Sequence, residues 1–210
     1  MRLTILISFL AASLAAAQER PNPGQVYQHA PLEVLLPDFS AEGLVLDIGG
    51  GGEGVIGQLK GKQVVAIDLS KRELEEAPGE PLLKVVMDAR ELKFLDGTFP
   101  TATVFFTFMY IDPGDHEKVL GEIYRVLKPG GRLLVWDATF PKKTDAKQFF
   151  IIYPLRVKLP KKDISTGYSV RIREGLDADH YTELAKRTGF QLSAQKEEKG
   201  WFALEFAKPK

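Results

Sequence analysis

The chain has 210 residues, an ordinary apolar content and 28 basic residues balanced by 28 acidic ones. That length allows one domain with a sizeable core, and formal neutrality argues against a general nucleic-acid binder, which carries a strong basic excess. The absence of Cys excludes disulfides, thiolate zinc sites and cysteine nucleophiles; His29, His116 and His180 lack ligand spacing, so no metal is expected.

Arg2 precedes an apolar run from Leu3 to Leu14, followed by Ala15-Ala16-Ala17-Gln18. This is the layout of a secretory signal peptide, and the run is too short for a comfortable membrane span. Residues 1–17 are therefore expected to be removed. The mature chain would be secreted or periplasmic, with no stable membrane span. A cytoplasmic or N-terminally anchored protein is the alternative. Residues 18–42 read as a linker (Glu19 to Gly24) and an N-terminal helix (Gln25 to Leu36).

Residues 43–210 are expected to form one α/β domain. The first strand runs Leu44 to Ile48 and leads into a glycine-rich loop and a short helix ending near Leu59. Gln63 to Ile67 is a second strand, closed by Asp68. Ser70 and Glu73 have capping-box spacing and open a helix that Pro78 stops. Leu82 to Val86 is a third strand ending near Asp88, and the apolar, aromatic run Thr103 to Phe108 is a fourth, suited to burial on both faces. Asp115 is expected to cap a helix from His116 to Leu127, whose Val119, Ile123, Val126 and Leu127 recur at helical spacing. Lys128-Pro129-Gly130-Gly131 reads as a stop and turn before a fifth strand, Arg132 to Trp136. Asp177 caps a last helix that Gly189 ends. Phe190 to Ala194 and Trp201 to Ala207 then form a hairpin around the charged turn Gln195 to Gly200. Strands alternating with helices imply a Rossmann-like, doubly wound, mostly parallel sheet of seven strands with an antiparallel C-terminal hairpin.

Asp47-Ile48-Gly49-Gly50-Gly51-Gly52-Glu53-Gly54 is the most informative stretch. Glycines let the backbone approach a ligand closely, and a following helix N-terminus presents free N–H groups. Gly49-x-Gly51-x-x-Gly54 fits the dinucleotide fingerprint with Asp68 near the ribose-binding position, so a nicotinamide-dependent oxidoreductase is one reading. Three features point elsewhere: an acid, Asp47, just before the loop; a further strand-end acid, Asp88; and the segment Leu127-Lys128-Pro129-Gly130-Gly131.

Together these residues resemble the class I S-adenosylmethionine-dependent methyltransferases of the type 11 domain kind, over residues 43–137. The resemblance implies S-adenosylmethionine as cofactor. Gly49, Gly50 and Gly51 would lie close to its amino-acid and ribose portions, with Asp47 ordering the loop and offering negative charge near the ammonium group. Asp68, followed by Leu69, would accept the ribose hydroxyls. Asp88 and the Ala89 backbone would meet the adenine, and Thr107 completes the implied set. The family's third glycine falls at Glu53, with Gly54 one place later.

Methyl transfer from a sulfonium is an in-line displacement in which the protein mainly supplies proximity and alignment. If the acceptor must lose a proton, the candidate groups after the fourth strand are Tyr110, Asp112 and His116. Phe108 to Gly114 lacks the Asn/Asp-Pro-Pro-aromatic motif expected for exocyclic nucleic-acid amines, so a small-molecule acceptor is expected and no DNA is indicated. Residues 140–174 read as an acceptor-side insertion. Positions 141–173 carry nine Lys or Arg against two Asp, which suits an anionic acceptor. The alternative from another class is an exported binding protein on a methyltransferase scaffold, weakly catalytic or not at all.

Overall fold

The computed structural model describes residues 23–140 and 147–210, so the signal-peptide expectation for residues 1–17 lies outside the described residues. In chain order the first elements are β1 (Val26–Gln28), β2 (Leu32–Leu35), β3 (Val45–Ile48), α1 (Val55–Lys60), β4 (Val64–Asp68), α2 (Lys71–Glu76) and β5 (Leu83–Val86). There follow β6 (Phe99–Phe105), α3 (His116–Val126), β7 (Leu127–Ala138), β8 (Phe150–Lys158), β9 (Asp163–Arg171), α4 (Ala178–Arg187), β10 (Gln191–Glu198) and β11 (Trp201–Ala207). They form two compact units: residues 23–38 with 147–174, and residues 39–140 with 175–210.

The larger unit is a seven-stranded sheet in the order β10-β11-β7-β6-β3-β4-β5. β3 to β7 pair in parallel, and β11 and β10 close the edge antiparallel. One sheet face is a continuous apolar layer. Leu46, Ile48, Val104, Val135, Phe202 and Phe206 pack there against Val119, Leu120 and Ile123 of α3 and Tyr181 and Leu184 of α4. Each fully buried aliphatic side chain in such a layer contributes about 1.5–3 kcal/mol. The chain proceeds outward from β3 to β4 and β5, then returns to β6 on the other side of β3. The carboxyl ends of β3 and β6 thus border a topological switch point, the usual ligand position in such sheets.

Several local expectations are met at single residues. The Ser70 hydroxyl accepts from the Glu73 N–H, and the Asp177 carboxylate accepts from the His180 N–H. Others shift. β6 begins at Phe99, four residues before the predicted start, and ends at Phe105 because Phe106 has a φ of +48°. Pro100 is tolerated inside it because the β6–β7 register slips between Phe99 and Thr101. Lys128–Gly131 stays within β7 as the bulge that takes up this slip, with Phe99 opposite Leu127 and Thr101 opposite Arg132. Gly131 is required there, since a Cβ would lie 2.8 Å from the Lys128 carbonyl oxygen. β10 runs on to Glu198, so the hairpin turn is Lys199-Gly200 alone.

The N-terminal helix expected over Gln25 to Leu36 is not formed; that segment supplies β1 and β2. Pro31 lacks an N–H and pushes the preceding residue toward extended backbone. Beyond it Leu32, Val34 and Leu36 are buried while Glu33 and Leu35 are exposed, a period of two rather than 3.6. These strands pair in parallel with β8, whose other edge pairs antiparallel with β9. The stretch read as an insertion into one domain is therefore half of a second sheet whose other half is N-terminal. Three of its basic residues are engaged within that sheet: Arg156 pairs with Asp163, Lys158 with Glu33, and Arg171 lies over the Phe150 ring. Among the described residues no helix is long and apolar enough to cross a membrane.

Candidate cofactor-binding site

The glycine loop is laid over the carboxyl end of β4. The N–H groups of Gly49 and Gly50 both donate to the Ile67 carbonyl, at 2.8 and 2.9 Å, and the Gly51 N–H donates to Asp68 Oδ2 at 3.3 Å. Side chains are excluded by contact as well as by conformation. A Cβ on Gly49, whose φ is +74°, would lie 2.2 Å from Thr107 Oγ1. On Gly50 it would lie 2.8 Å from the Ala66 Cβ and 2.7 Å from Asp47 Oδ2, and on Gly51 it would lie 2.7 Å from Asp68 Oδ2 and from the Glu73 Cβ.

The departure at Glu53 resolves here. Gly54 is the residue at the N-cap of α1, in left-handed conformation with a φ of +52°, and a Cβ on it would lie 2.7 Å from the Pro78 carbonyl oxygen. The backbone restriction falls on Gly54 and leaves Glu53 free to carry a side chain; the Glu53 carbonyl accepts from the Gln58 amide.

Three acids line the ends of adjacent strands. Asp47, in β3, is 2 % exposed and faces Thr103 directly across the β3–β6 pairing. The Thr103 hydroxyl donates to Asp47 Oδ1 at 2.8 Å. Burial pushes the Asp47 carboxyl up to about 7, against the Thr103 hydrogen bond; nearby Asp68 adds to the rise. Asp68, at the end of β4, accepts from the N–H of Ser70 at 2.8 Å and from Gly51, and burial raises its pKa. With Leu69, three backbone N–H groups bear on the carboxylate, which leaves room for about one further donor. Glu73 on α2 lies beside Gly51 and Gly52, and its pKa is also raised by burial.

Asp88 is held differently. Its carboxylate accepts from the Arg90 guanidinium through Nε and Nη2, and from the Arg90 N–H, which keeps its pKa low. Arg90 Nη1 bonds Asp115 at 2.9 Å, so Asp115 turns toward Arg90 and does not cap α3 with its side chain. Leu69 is 58 % exposed beside Asp68, and Ala89 packs against the apolar layer.

Beyond β6, the Thr107 hydroxyl faces the carbonyls of Ile48 at 3.2 Å and Phe105 at 3.1 Å. Tyr110 closes the following turn, with its N–H on the Thr107 carbonyl. His116 is fully buried. Its Nε2 lies 3.1 and 3.2 Å from the carbonyls of Phe108 and Ile111, and its Nδ1 lies 3.1 Å from His180 Nε2. Both ring nitrogens are engaged with the interior, so His116 braces the turn to α3 and α4 and does not face the loop. One element the sequence left unnoticed is Asp137. It is fully buried near the end of β7, with Oδ2 3.4 Å from the Met109 N–H and Oδ1 2.7 Å from the Ala138 N–H. Its only sequence signal is an acid closing an otherwise apolar strand, the pattern already seen at Asp47 and Asp68.

Residues 46–135 match the methyltransferase domain family. Among curated proteins, the chain is 42% identical over 96 residues to the ubiquinone/menaquinone biosynthesis C-methyltransferase UbiE of Desulfotalea psychrophila, covering 44% of this chain and 36% of that one. It is 38% identical over 103 residues to the demethylmenaquinone methyltransferase of Thermus thermophilus, covering 46% of each. The chain thus spans less than half the length of these relatives. Among solved structures, a SAM-dependent methyltransferase from Methanosarcina mazei superposes with a TM-score of 0.57 at 19% identity, over 81% of this chain and 94% of that one.

Proposed function

We propose that the chain transfers a methyl group from S-adenosylmethionine to a small-molecule acceptor, a reading supported by the match of residues 46–135 to the methyltransferase domain family and by the shared fold. The observation that carries this is the glycine loop pinned over β4 between Asp47, Asp68 and Glu73, with every loop position from Gly49 to Gly51 too close to its neighbours for a Cβ. The cradle suits a cofactor with cationic groups. Asp68 retains acceptor capacity for a ribose hydroxyl, and the loop N–H groups are already spent on Ile67 and Asp68, so contact there is by close backbone approach.

When bound, the cofactor supplies an electrophilic methyl group on a sulfonium, which needs alignment more than acid–base help. Gly49, Gly50 and Gly51 bring backbone close, Asp47 is held by Thr103 against Gly50, and Asp68 orients the ribose. Asp88 and Ala89 are positioned for the adenine, with Arg90 holding the Asp88 carboxylate in one orientation. To Tyr110, in the turn after β6, we assign the holding or passing of an acceptor proton. The relatives' names favour a quinone-type ring carbon as acceptor. The pairing of Arg156 with Asp163 and of Lys158 with Glu33 offsets part of the basic excess that suggested an anionic one.

Calorimetric titration of the purified protein with S-adenosylmethionine, its demethylated product and a nicotinamide dinucleotide tests the proposal. Binding of the first two and not the third is expected. Binding of the dinucleotide alone refutes it, and no binding at all favours a non-catalytic scaffold. Methylation of a demethylated quinone, lost in Tyr110→Phe, tests the acceptor assignment.

A further inference from the structure

Resting on the cofactor site just proposed, we infer that Asp137 is a positioning residue for it, holding the turn after β6 so that Thr107 stays against Gly49. Four observations support this. Phe106 is the sole non-glycine residue with positive φ among those described, at +48°, and it is 2 % exposed. A bulky residue in that region is strained and persists only where the surroundings over-determine it. The Phe106 N–H is held by the Trp136 carbonyl at 2.7 Å, so the turn is tied to β7 at its first residue.

Asp137 ties down the rest. β6 and β7 pair in parallel with Phe105 opposite Trp136, which puts Asp137 one step beyond the last pair, level with the turn. Its carboxylate takes the Met109 and Ala138 N–H groups, and the N–H groups of Phe108 and Thr107 also bear on it. A side chain with two acceptor oxygens suits so many converging N–H groups; an amide offers one oxygen, and its NH2 would face donors.

The turn has a ligand-side consequence. Thr107 Oγ1 occupies the space that a Cβ on Gly49 would need, and its hydroxyl reaches the Ile48 carbonyl at the end of β3. Gly49 and Thr107 are thus a matched pair, one lacking a side chain where the other supplies one. A carboxylate buried without a cation is a costly way to hold a turn. Here it fixes the wall against which the first loop glycine rests. Asp137 touches no reacting atom and acts through Thr107.

The test compares Asp137→Asn, Asp137→Ala, Thr107→Ala, the Asp137→Ala/Thr107→Ala double variant and Leu184→Val, a core control in α4. Two measurements are made: the Kd for S-adenosylmethionine by calorimetry, and amide hydrogen exchange of residues 107–109 without cofactor. Asp137→Ala is expected to weaken binding at least tenfold and to speed exchange at 107–109 at least tenfold beyond any global change. Asp137→Asn should show a smaller shift of the same kind. The double variant should bind no more weakly than Asp137→Ala alone, while Leu184→Val lowers the melting temperature and leaves Kd unchanged. If Asp137→Ala fails to fold, Asp137→Asn decides. Wild-type exchange at 107–109 in Asp137→Asn, or a Kd shift in Asp137→Ala no larger than in Leu184→Val, overturns the inference. Failure of the parent protein to bind S-adenosylmethionine refutes the proposed function instead, and is told apart because the exchange measurement needs no ligand.

Discussion

Asp47→Asn should gain stability relative to the parent protein as pH rises from 5 to 8. Asp47 is buried beside Thr103, and its carboxyl is pushed up to about 7 from an ordinary 3.8. A folded-state pKa raised in this way means that the folded protein binds the proton more tightly than the unfolded chain. The group's contribution is fully favourable below about 4 and is lost as pH climbs through 7. The whole gap corresponds to about 4 kcal/mol, and relaxation around the charge should leave roughly half of it. Asn cannot ionise and keeps an oxygen for the Thr103 hydroxyl. Any fixed cost of its NH2 group is the same at every pH and cancels in the comparison. Urea unfolding of both proteins at pH 5, 6.5 and 8 measures the effect. Only the part of the gap above pH 5 is titrated in this range, so the stability difference should move in favour of the variant by about 1–2.5 kcal/mol. A difference that is flat with pH would show that Asp47 ionises at an ordinary value, and the burial argument would fall.

Four further outcomes are expected. Gly49→Ala meets Thr107 at 2.2 Å and a φ of +74°, so it should cost about 2–4 kcal/mol in denaturant unfolding and abolish cofactor binding. Gly61→Ala, with a φ of +53° and open space, should cost about 1–2 kcal/mol and leave binding intact. Glu53→Gly should change the Kd for S-adenosylmethionine by less than about threefold, because Gly54 carries the left-handed N-cap; a large gain in affinity would show that Glu53 obstructs the loop. His116→Gln should lower the melting temperature by several degrees by removing its bonds to the Phe108 and Ile111 carbonyls, while the pH profile of methyl transfer stays in place; a displaced profile would return His116 to the chemistry.

The parallel sheet was legible because its strands are apolar runs closed by acids, and its helices carry local caps at Ser70 and Asp177. The site was legible for a related reason. A loop that excludes side chains must be written in glycine, and strand-end acids are visible as charges interrupting apolar runs. Three features were hidden. β1 and β2 alternate over too few residues to outweigh a helical reading, and their partner β8 is remote in sequence. The Arg90 clamp on Asp88 depends on a side-chain direction. Asp137 gains its meaning only from N–H groups contributed by a different segment, and no spacing rule encodes that.

The second sheet also bears on how the chain folds. Glu33 and Lys158, bridged across the β2–β8 pairing, lie 125 residues apart. Closing so long a loop is slow, since its entropy must be given up before the contact repays it. β3, β4 and β5, by contrast, are joined by short helices and can pair as soon as they are made. During synthesis β1 and β2 must therefore wait, apolar and unpaired, until β8 leaves the ribosome. Over that interval the segment from Val26 to Leu36 is exposed to pairing with other chains and is a natural client for a chaperone.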